Sequence, residues 1–210
     1  MFTSGCNFRC PFCHNAPLVL PEQLDSAEQE EQVLAFLKKR VGILEGLAVT
    51  GGEPLMHRAL PDFLRKVRQL GYSIKLDTNG SYPDRLEEVI KAGLVDRVAM
   101  DIKNSPALYA RTIGLKSFDL EPIERSIELI MQSGIDYEFR TTVVKGLHTK
   151  ESLLEAAALI KGAKEYYLQQ YKDSGNVIDA QGLGSFNEEE MHALREAVSA
   201  VVPAVSLRGV

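Results

Sequence analysis

The chain has 210 residues, 45% hydrophobic and 25% charged, with a formal net charge of −5, enough to bury one full core, so a single domain over residues 1–210 is expected. Its Lys and Arg are scattered rather than clustered, which argues against a nucleic-acid surface or an anionic-membrane surface. No apolar run approaches the ~18 residues of a membrane-spanning helix, and the closely spaced thiols suit a reducing, cytoplasmic setting better than a disulfide framework.

Residues 1–4 read as a short first strand, and a loop holding all three cysteines follows: Gly5-Cys6-Asn7-Phe8-Arg9-Cys10-Pro11-Phe12-Cys13-His14-Asn15. Three thiolates on one short loop can each hold an iron of a [4Fe-4S] cluster, which leaves the fourth iron open to a substrate. Duller readings compete with this one. Cys10-Pro11-Phe12-Cys13-His14 fits c-type haem attachment, but the N-terminal residues do not read as an export signal. A thioredoxin-like Cys-Pro-x-Cys pair wants a preceding strand in a βαβ context. Zinc on Cys6, Cys10, Cys13 and His14 has the right donor types, although adjacent Cys13 and His14 share a tetrahedron awkwardly. Inert buried thiols are the last option.

After the loop one unit recurs, a strand followed by an amphipathic helix. The first helix is expected near Asp25, with Glu28 three residues on as in a capping box and Val33, Leu37 and Val41 on one face. Strands are read at residues 47–50, 73–76, 95–102, 137–144 and 166–169. Pro83 and Pro122 fit first helical positions, and Gly93, Gly134 and Gly162 fit C-terminal caps. Asn187 caps a last helix carrying Met191, Leu194 and Val198. Residues 172–186 read as a loop within the last unit, whose Gly182-Leu183-Gly184-Ser185 is too incomplete for a dinucleotide fingerprint. Alternating strands and helices imply a parallel sheet covered by helices. About six units, fewer than the eight of a closed barrel, predict an α/β fold: a partial (β/α)6 TIM-like barrel of parallel strands with outer helices. A doubly wound flat sheet is the alternative.

In such architectures sites gather at the C-terminal ends of strands. Thr50-Gly51-Gly52-Glu53-Pro54, Asp77-Thr78-Asn79-Gly80 and Asp101-Ile102-Lys103-Asn104 stand at those ends, beside the cysteine loop. Singly, each reads as a turn, an Asx-turn or a solvated ion pair. Their joint placement on successive strand ends points to one site.

Cys6-x3-Cys10-x2-Cys13 with aromatic Phe12, followed by Gly51-Gly52-Glu53-Pro54, resembles the radical S-adenosylmethionine (SAM) superfamily over essentially the whole chain. Within it, the cysteine run, Leu76-Asp77-Thr78-Asn79-Gly80 and Met100-Asp101-Ile102-Lys103 resemble the activating enzymes of glycyl-radical enzymes. The anaerobic ribonucleoside-triphosphate reductase activating proteins, in their longer form, are most similar, with pyruvate formate-lyase activating enzymes as neighbours. The resemblance implies that Cys6, Cys10 and Cys13 bind three irons of a [4Fe-4S] cluster, and that the amino and carboxylate groups of SAM chelate the fourth. It further implies an electron from a flavodoxin or ferredoxin-like donor, cleavage of SAM to methionine and a 5′-deoxyadenosyl radical, and hydrogen abstraction from a glycine of a partner glycyl-radical enzyme such as anaerobic ribonucleotide reductase.

Carried over residue by residue, the resemblance assigns Gly51, Gly52 and Glu53 to the SAM amino group, Phe12 to the adenine, Asp77 and Asn79 to bound SAM, and Lys103 to its carboxylate. Val143 and Val144 would wall the adenine, with Gln170 or Lys172 beside it. Asp77, Thr78 and Asp101 match positions that hold a monovalent cation, for which oxygen donors suit. The group carries a longer segment before its first cysteine, so a short or truncated N-terminal segment is expected, and no further cysteine group offers an auxiliary cluster. A radical SAM enzyme acting on a small molecule or peptide, and a non-catalytic iron–sulfur or zinc-binding module, are the other readings.

Overall fold

The computed structural model describes residues 1–20, 29–173 and 175–210. Seven strands form one sheet: β1 (Phe2–Thr3), β2 (Gly46–Gly51), β3 (Ser73–Thr78), β4 (Arg97–Asp101), β5 (Asp136–Val143), β6 (Tyr166–Gln170) and β7 (Val205–Arg208). Each pairs with the next in chain order, and every pair is parallel. A doubly wound sheet requires the strand order to reverse at a switch point, and here it never does. Right-handed crossovers in strict sequence place all helices on one face and curl the sheet around the other. β1 and β7 stand at the two ends of that order, so the partial barrel is open.

β7 adds a strand to the expected count. Its Val205-Ser206-Leu207-Arg208 carries one buried apolar side chain, Val205, which is too short a signal to stand out after a helix.

Eight helices are described, α1 (Ala16–Val19), α2 (Glu30–Lys38), α3 (Leu60–Gln69), α4 (Pro83–Lys91), α5 (Tyr109–Thr112), α6 (Glu121–Gln132), α7 (Lys150–Leu159) and α8 (Glu188–Ser199); the longer ones pack outside, and the short α1 and α5 lie beside the cysteine loop, bonded to it through Leu18 O and Ile113 O. In α3 the buried Leu60, Phe63, Leu64 and Val67 follow the helical i, i+3, i+4, i+7 spacing. α4 and α6 each carry a proline in the first two positions, Gly93, Gly134 and Gly162 follow helix ends at positive φ, and Asn187 closes a capping box on α8. The helix start expected at Asp25 and Glu28 lies outside the described residues. In α2, capped by Gln29, Leu37 is buried and Val33 packs against the core. Val41 does not share that face: the helix has ended at Lys38, and Val41 sits 52% exposed in a tight turn bridged to Leu44.

Strand alternation divides the sheet into two chemistries. Ile74, Leu76, Val98, Met100, Phe139, Tyr166 and Leu168 are buried toward the helices. Their neighbours Lys75, Asp77, Arg97, Glu138 and Arg140 face the concave side, where ion pairs reach across an intervening strand: Lys75 to Glu138, Arg140 to Asp77, and Arg208 to Glu138. Contacts that skip a strand require a strongly curled sheet. The barrel interior is therefore polar, and the apolar core lies between sheet and helices.

Candidate active site

The cysteine loop leaves β1 and lies across the end of β2. Two glycines make that approach possible. A Cβ on Gly52 would sit 1.8 Å from the Gly5 carbonyl oxygen, and one on Gly51, whose φ is +117°, would sit 2.3 Å from backbone atoms of Thr3. The contact is closed by hydrogen bonds from Gly52 N to Thr3 O and from Glu53 N to Gly5 O, both 2.8 Å. Arg9 then holds the loop from within, its guanidinium donating to the Cys6 and Phe8 carbonyls, while Phe8 packs edge-on against Phe118 at 5.3 Å.

Cys6, Cys10 and Cys13 are all free thiols and all line one cavity of about 250 Å³ at the C-terminal mouth of the barrel. Phe12, Gly51, Gly52, Asp77, Thr78, Asn79, Asp101 and Lys103 line the same cavity. Four segments far apart in sequence thus converge there.

Each strand end is anchored. The Glu53 carboxylate is fully buried and turned away from the cavity. It accepts from Leu55 N (3.0 Å), Thr78 Oγ1 (2.9 Å) and Asn79 N (2.6 Å), tying the end of β2 to that of β3. Burial pushes this carboxyl up to about 7, against those hydrogen bonds. Asn79 donates to Asn7 Oδ1 (3.0 Å) and lies 3.8 Å from Cys6 Sγ, with Ser81 closing the network. Beyond β4, His148 Nε2 meets the Lys103 carbonyl oxygen at 2.8 Å, and buried Asn104 donates to Thr112 Oγ1 and Leu147 O.

Charge at the mouth is organised around Asp101. Lys103 Nζ donates to its Oδ2 and Arg140 Nε to its Oδ1, both at 3.0 Å. Burial alone would raise the Asp101 carboxyl, but the two cations outweigh it and hold the group at about 2. Burial opposes the charge of Lys103 as well; Asp101 prevails and shifts the ammonium upward. Lys103 Nζ also lies 6.0 Å from the Phe12 ring centroid, so cation, aromatic face and cysteine loop share one wall. Asp77 Oδ2 accepts from Arg140 at 3.2 Å; its buried Oδ1 has Lys75 Nζ at 3.2 Å but no aligned hydrogen-bond donor among the described residues.

Five assigned residues lie elsewhere: Glu53, whose carboxylate is taken by Leu55, Thr78 and Asn79 rather than offered to the cavity, and four others, for most of which the pleat explains why. Val143 and Val144 are fully buried core residues; on β5 it is Arg140 and Thr142 that reach the cavity. Gln170 points outward and donates to Phe186 O, while its neighbour Gln169 lines the cavity. Lys172 is exposed in the loop after β6. Adjacent residues on a strand face opposite sides, so an error of one residue exchanges the faces. Arg140, Thr142, Gln169, Thr50, Phe8, His14, Val19 and Asn15, whose Nδ2 donates to Gly51 O, complete the wall. A visible signal was available for Arg140: Tyr137-Glu138-Phe139-Arg140 alternates aromatic and charged residues at the start of β5, although Thr141-Thr142 then interrupts the pattern.

The donor set suits a [4Fe-4S] cluster. Burial pushes the Cys10 thiol up to about 12, so its thiolate must be secured by iron, with Lys103 favouring the charge. Cys6 Sγ already accepts from Phe8 N at 3.4 Å. Among the described residues no three His, Cys, Asp or Glu side chains gather around a single-ion centre, whereas a cluster takes one thiolate per iron at separate corners. His14, the fourth ligand a zinc site would need, borders the same cavity with its ring against Tyr171 at 5.6 Å, but it does not join the three cysteines in a single-ion group.

Residues 1–160 match the Radical SAM superfamily, and the chain belongs to it. Membership implies a [4Fe-4S] cluster and SAM. A Methanocaldococcus jannaschii protein, provisionally named a glycyl-radical enzyme activating enzyme, is 30% identical over 178 residues, covering 82% of this chain and 72% of that one. A Helicobacter pylori GTP 3′,8-cyclase is 30% identical over 175 residues, covering 80% of this chain but only 51% of its own. Among solved structures, Streptococcus suis SuiB bound to S-adenosylmethionine superposes with a TM-score of 0.76 at 13% identity, over 99% of this chain and 49% of that one. Escherichia coli coproporphyrinogen III oxidase, a radical SAM enzyme, gives 0.66 at 16% identity, over 97% of this chain and 51% of that one. The chain spans about half of these larger enzymes. Among the described residues no helix is long and apolar enough to cross a membrane.

Proposed function

We propose that residues 1–210 form a single radical SAM domain that activates a partner glycyl-radical enzyme, such as an anaerobic ribonucleotide reductase, by removing a hydrogen atom from one of its glycines. The observation that carries this reading is the convergence of Cys6, Cys10 and Cys13 with Lys103, Asp101 and Asp77 on one cavity at an open barrel mouth. The name of the Methanocaldococcus jannaschii relative, which matches over most of both chains, supports the choice of partner. When bound, the cluster supplies one electron to the SAM sulfonium, which yields methionine and a 5′-deoxyadenosyl radical.

The chain's own residues bind and orient. Lys103, fixed by Asp101, meets the SAM carboxylate, and the Gly51–Gly52 backbone, bare of side chains, meets its amino group. Phe12 offers the adenine a face, and Gln169 and Thr142 border it from β6 and β5. Glu53 acts through the β3 end that it ties down. The electron comes from a flavodoxin or ferredoxin-like donor in the cytoplasm. The barrel is open between β1 and β7, and a loop of a protein substrate would approach the site there.

A second reading, a small-molecule substrate, is favoured by the Helicobacter pylori cyclase match. Reduced protein, SAM and a candidate glycyl-radical enzyme are mixed anaerobically and examined by electron paramagnetic resonance. A glycyl radical on the partner is the expected result; 5′-deoxyadenosine formation with no radical on any candidate partner would replace the first reading by the second.

A further inference from the structure

A monovalent cation shared by Asp77, Thr78 and Asp101 does not fit this site. Asp77 and Thr78 both border the cavity, but as consecutive residues on β3 they turn their side chains to opposite faces. The Thr78 hydroxyl is spent on the far side, donating to Glu53 Oε1 at 2.9 Å and accepting from Gly80 N at 3.1 Å. The two carboxylates do face one interior space, but a side chain already occupies the position between them. Arg140 Nε lies 3.0 Å from Asp101 Oδ1 and its NH1 3.2 Å from Asp77 Oδ2, with only 13% of the Arg140 side chain exposed.

The register explains how one side chain reaches both. Arg140 stands directly opposite Asp101, and Asp77 directly opposite Ala99. Ala99 faces inward between Arg97 and Asp101 and is the smallest side chain on that face of β4. So small a side chain at that position leaves room for the guanidinium to reach β3. Two facing carboxylates in a partly buried space require a positive charge between them, and a planar guanidinium supplies one in fixed geometry.

We propose that Arg140 is the resident cation of this site: its guanidinium bridges Asp77 and Asp101, keeps Asp101 aimed at Lys103, and makes SAM binding independent of sodium or potassium. Arg140 is a positioning residue in this role, acting on SAM through Asp101 and Lys103. The inference rests on superfamily membership and not on which molecule the radical attacks, so it stands or falls separately from the activase reading.

The test uses anaerobically reconstituted protein, thallium(I) as the potassium probe, and crystals examined for anomalous scattering, alongside SAM titrations in potassium, sodium or tetramethylammonium salts at equal ionic strength. The wild type is expected to hold no thallium between Asp77 and Asp101 and to bind SAM equally in all three salts. Arg140→Gln is expected to take up one thallium there, and its SAM affinity to rise about tenfold on moving from tetramethylammonium to potassium, an ordinary size for coupled sites. Arg140→Lys should restore salt independence. Thallium in the wild-type site, potassium-dependent SAM binding by the wild type, or a folded, cluster-containing Arg140→Gln protein that binds no ion would each overturn the proposal. Should Arg140→Gln not fold, the two wild-type measurements still decide it.

Discussion

Two charge clusters lie one above the other inside the barrel, and they differ in what they leave unpaired. The lower one centres on Glu138, whose side chain is 4% exposed. Lys75 and Arg208 reach its Oε1, and Arg97 and Arg208 its Oε2, at 3.1 to 3.4 Å. One acid is saturated by three bases, and nothing is left over for a ligand. The upper one pairs Asp77 and Asp101 with Arg140 and Lys103, yet borders a cavity and, among the described residues, leaves Asp77 Oδ1 without an aligned donor. Both set carboxylates among Lys and Arg on β3, β4 and β5; Arg208 of β7 joins the lower one, Lys103 beyond β4 the upper one, and Lys75 lies within 3.4 Å of both Glu138 and Asp77. Height within the barrel decides the role: below the mouth, where the long Arg208 side chain reaches down from the end of β7, the charges seal the interior, and at the mouth, where the loops converge, they face a ligand.

The comparison can be broken by substitutions that separate binding from stability. Cys10→Ala has the largest expected effect: loss of the roughly four irons bound on reconstitution and of all SAM cleavage, seen in iron content and absorbance, with the barrel's circular dichroism retained. Lys103→Ala comes next. It should weaken SAM by about 1.5 to 3 kcal/mol, the usual loss for a charge-assisted contact, with iron content unchanged. Equal SAM affinity in the variant would remove Lys103 from the binding wall.

Glu138→Ala should do the reverse, lowering stability to urea by roughly 2 kcal/mol while leaving SAM affinity as it was. The loss is modest because Arg97 and Arg208 are partly exposed and water takes over some of their charge. A large loss of SAM binding in this variant would show that the lower cluster is not a separate seal.

The smallest effect is in pH. Burial works to raise the Glu138 carboxyl, but Arg208, Arg97 and Lys75 outweigh it and hold the group at about 2, below its ordinary 4.5. A carboxyl depressed on folding contributes stability that is fully present above the ordinary value and is lost as pH falls toward the folded one. Wild-type stability should therefore decline between about pH 4.5 and pH 2, and Glu138→Gln should decline less steeply over that window in urea titrations at fixed pH.

Much of the site was legible because its residues are forced by backbone geometry or by metal chemistry. Three thiols on one loop, Gly51 and Gly52 under that loop, and acids at the ends of β3 and β4 all leave marks in local sequence. The helices were legible through their prolines, glycines and the Asn187 cap. What escaped depends on pleat phase and on contacts across strands. Gln169 and Gln170 are identical in type, and only the direction of the pleat separates a cavity residue from one that bonds to Phe186. Thr142 and Val143 differ in the same way. Arg140 joins residues 63 and 39 positions away, a relation fixed by strand order and by the small Ala99 between them. β7 escaped because a four-residue strand with one buried side chain has almost no periodicity to read.

The most direct measurement of the central claim is 5′-deoxyadenosine released from SAM by the reduced, reconstituted protein, compared across wild type, Lys103→Ala and Glu138→Ala at subsaturating SAM. The account predicts strong release by wild type and Glu138→Ala and a severalfold lower rate in Lys103→Ala. Equal rates in all three, or a loss confined to Glu138→Ala, would contradict the assignment of the upper cluster to SAM.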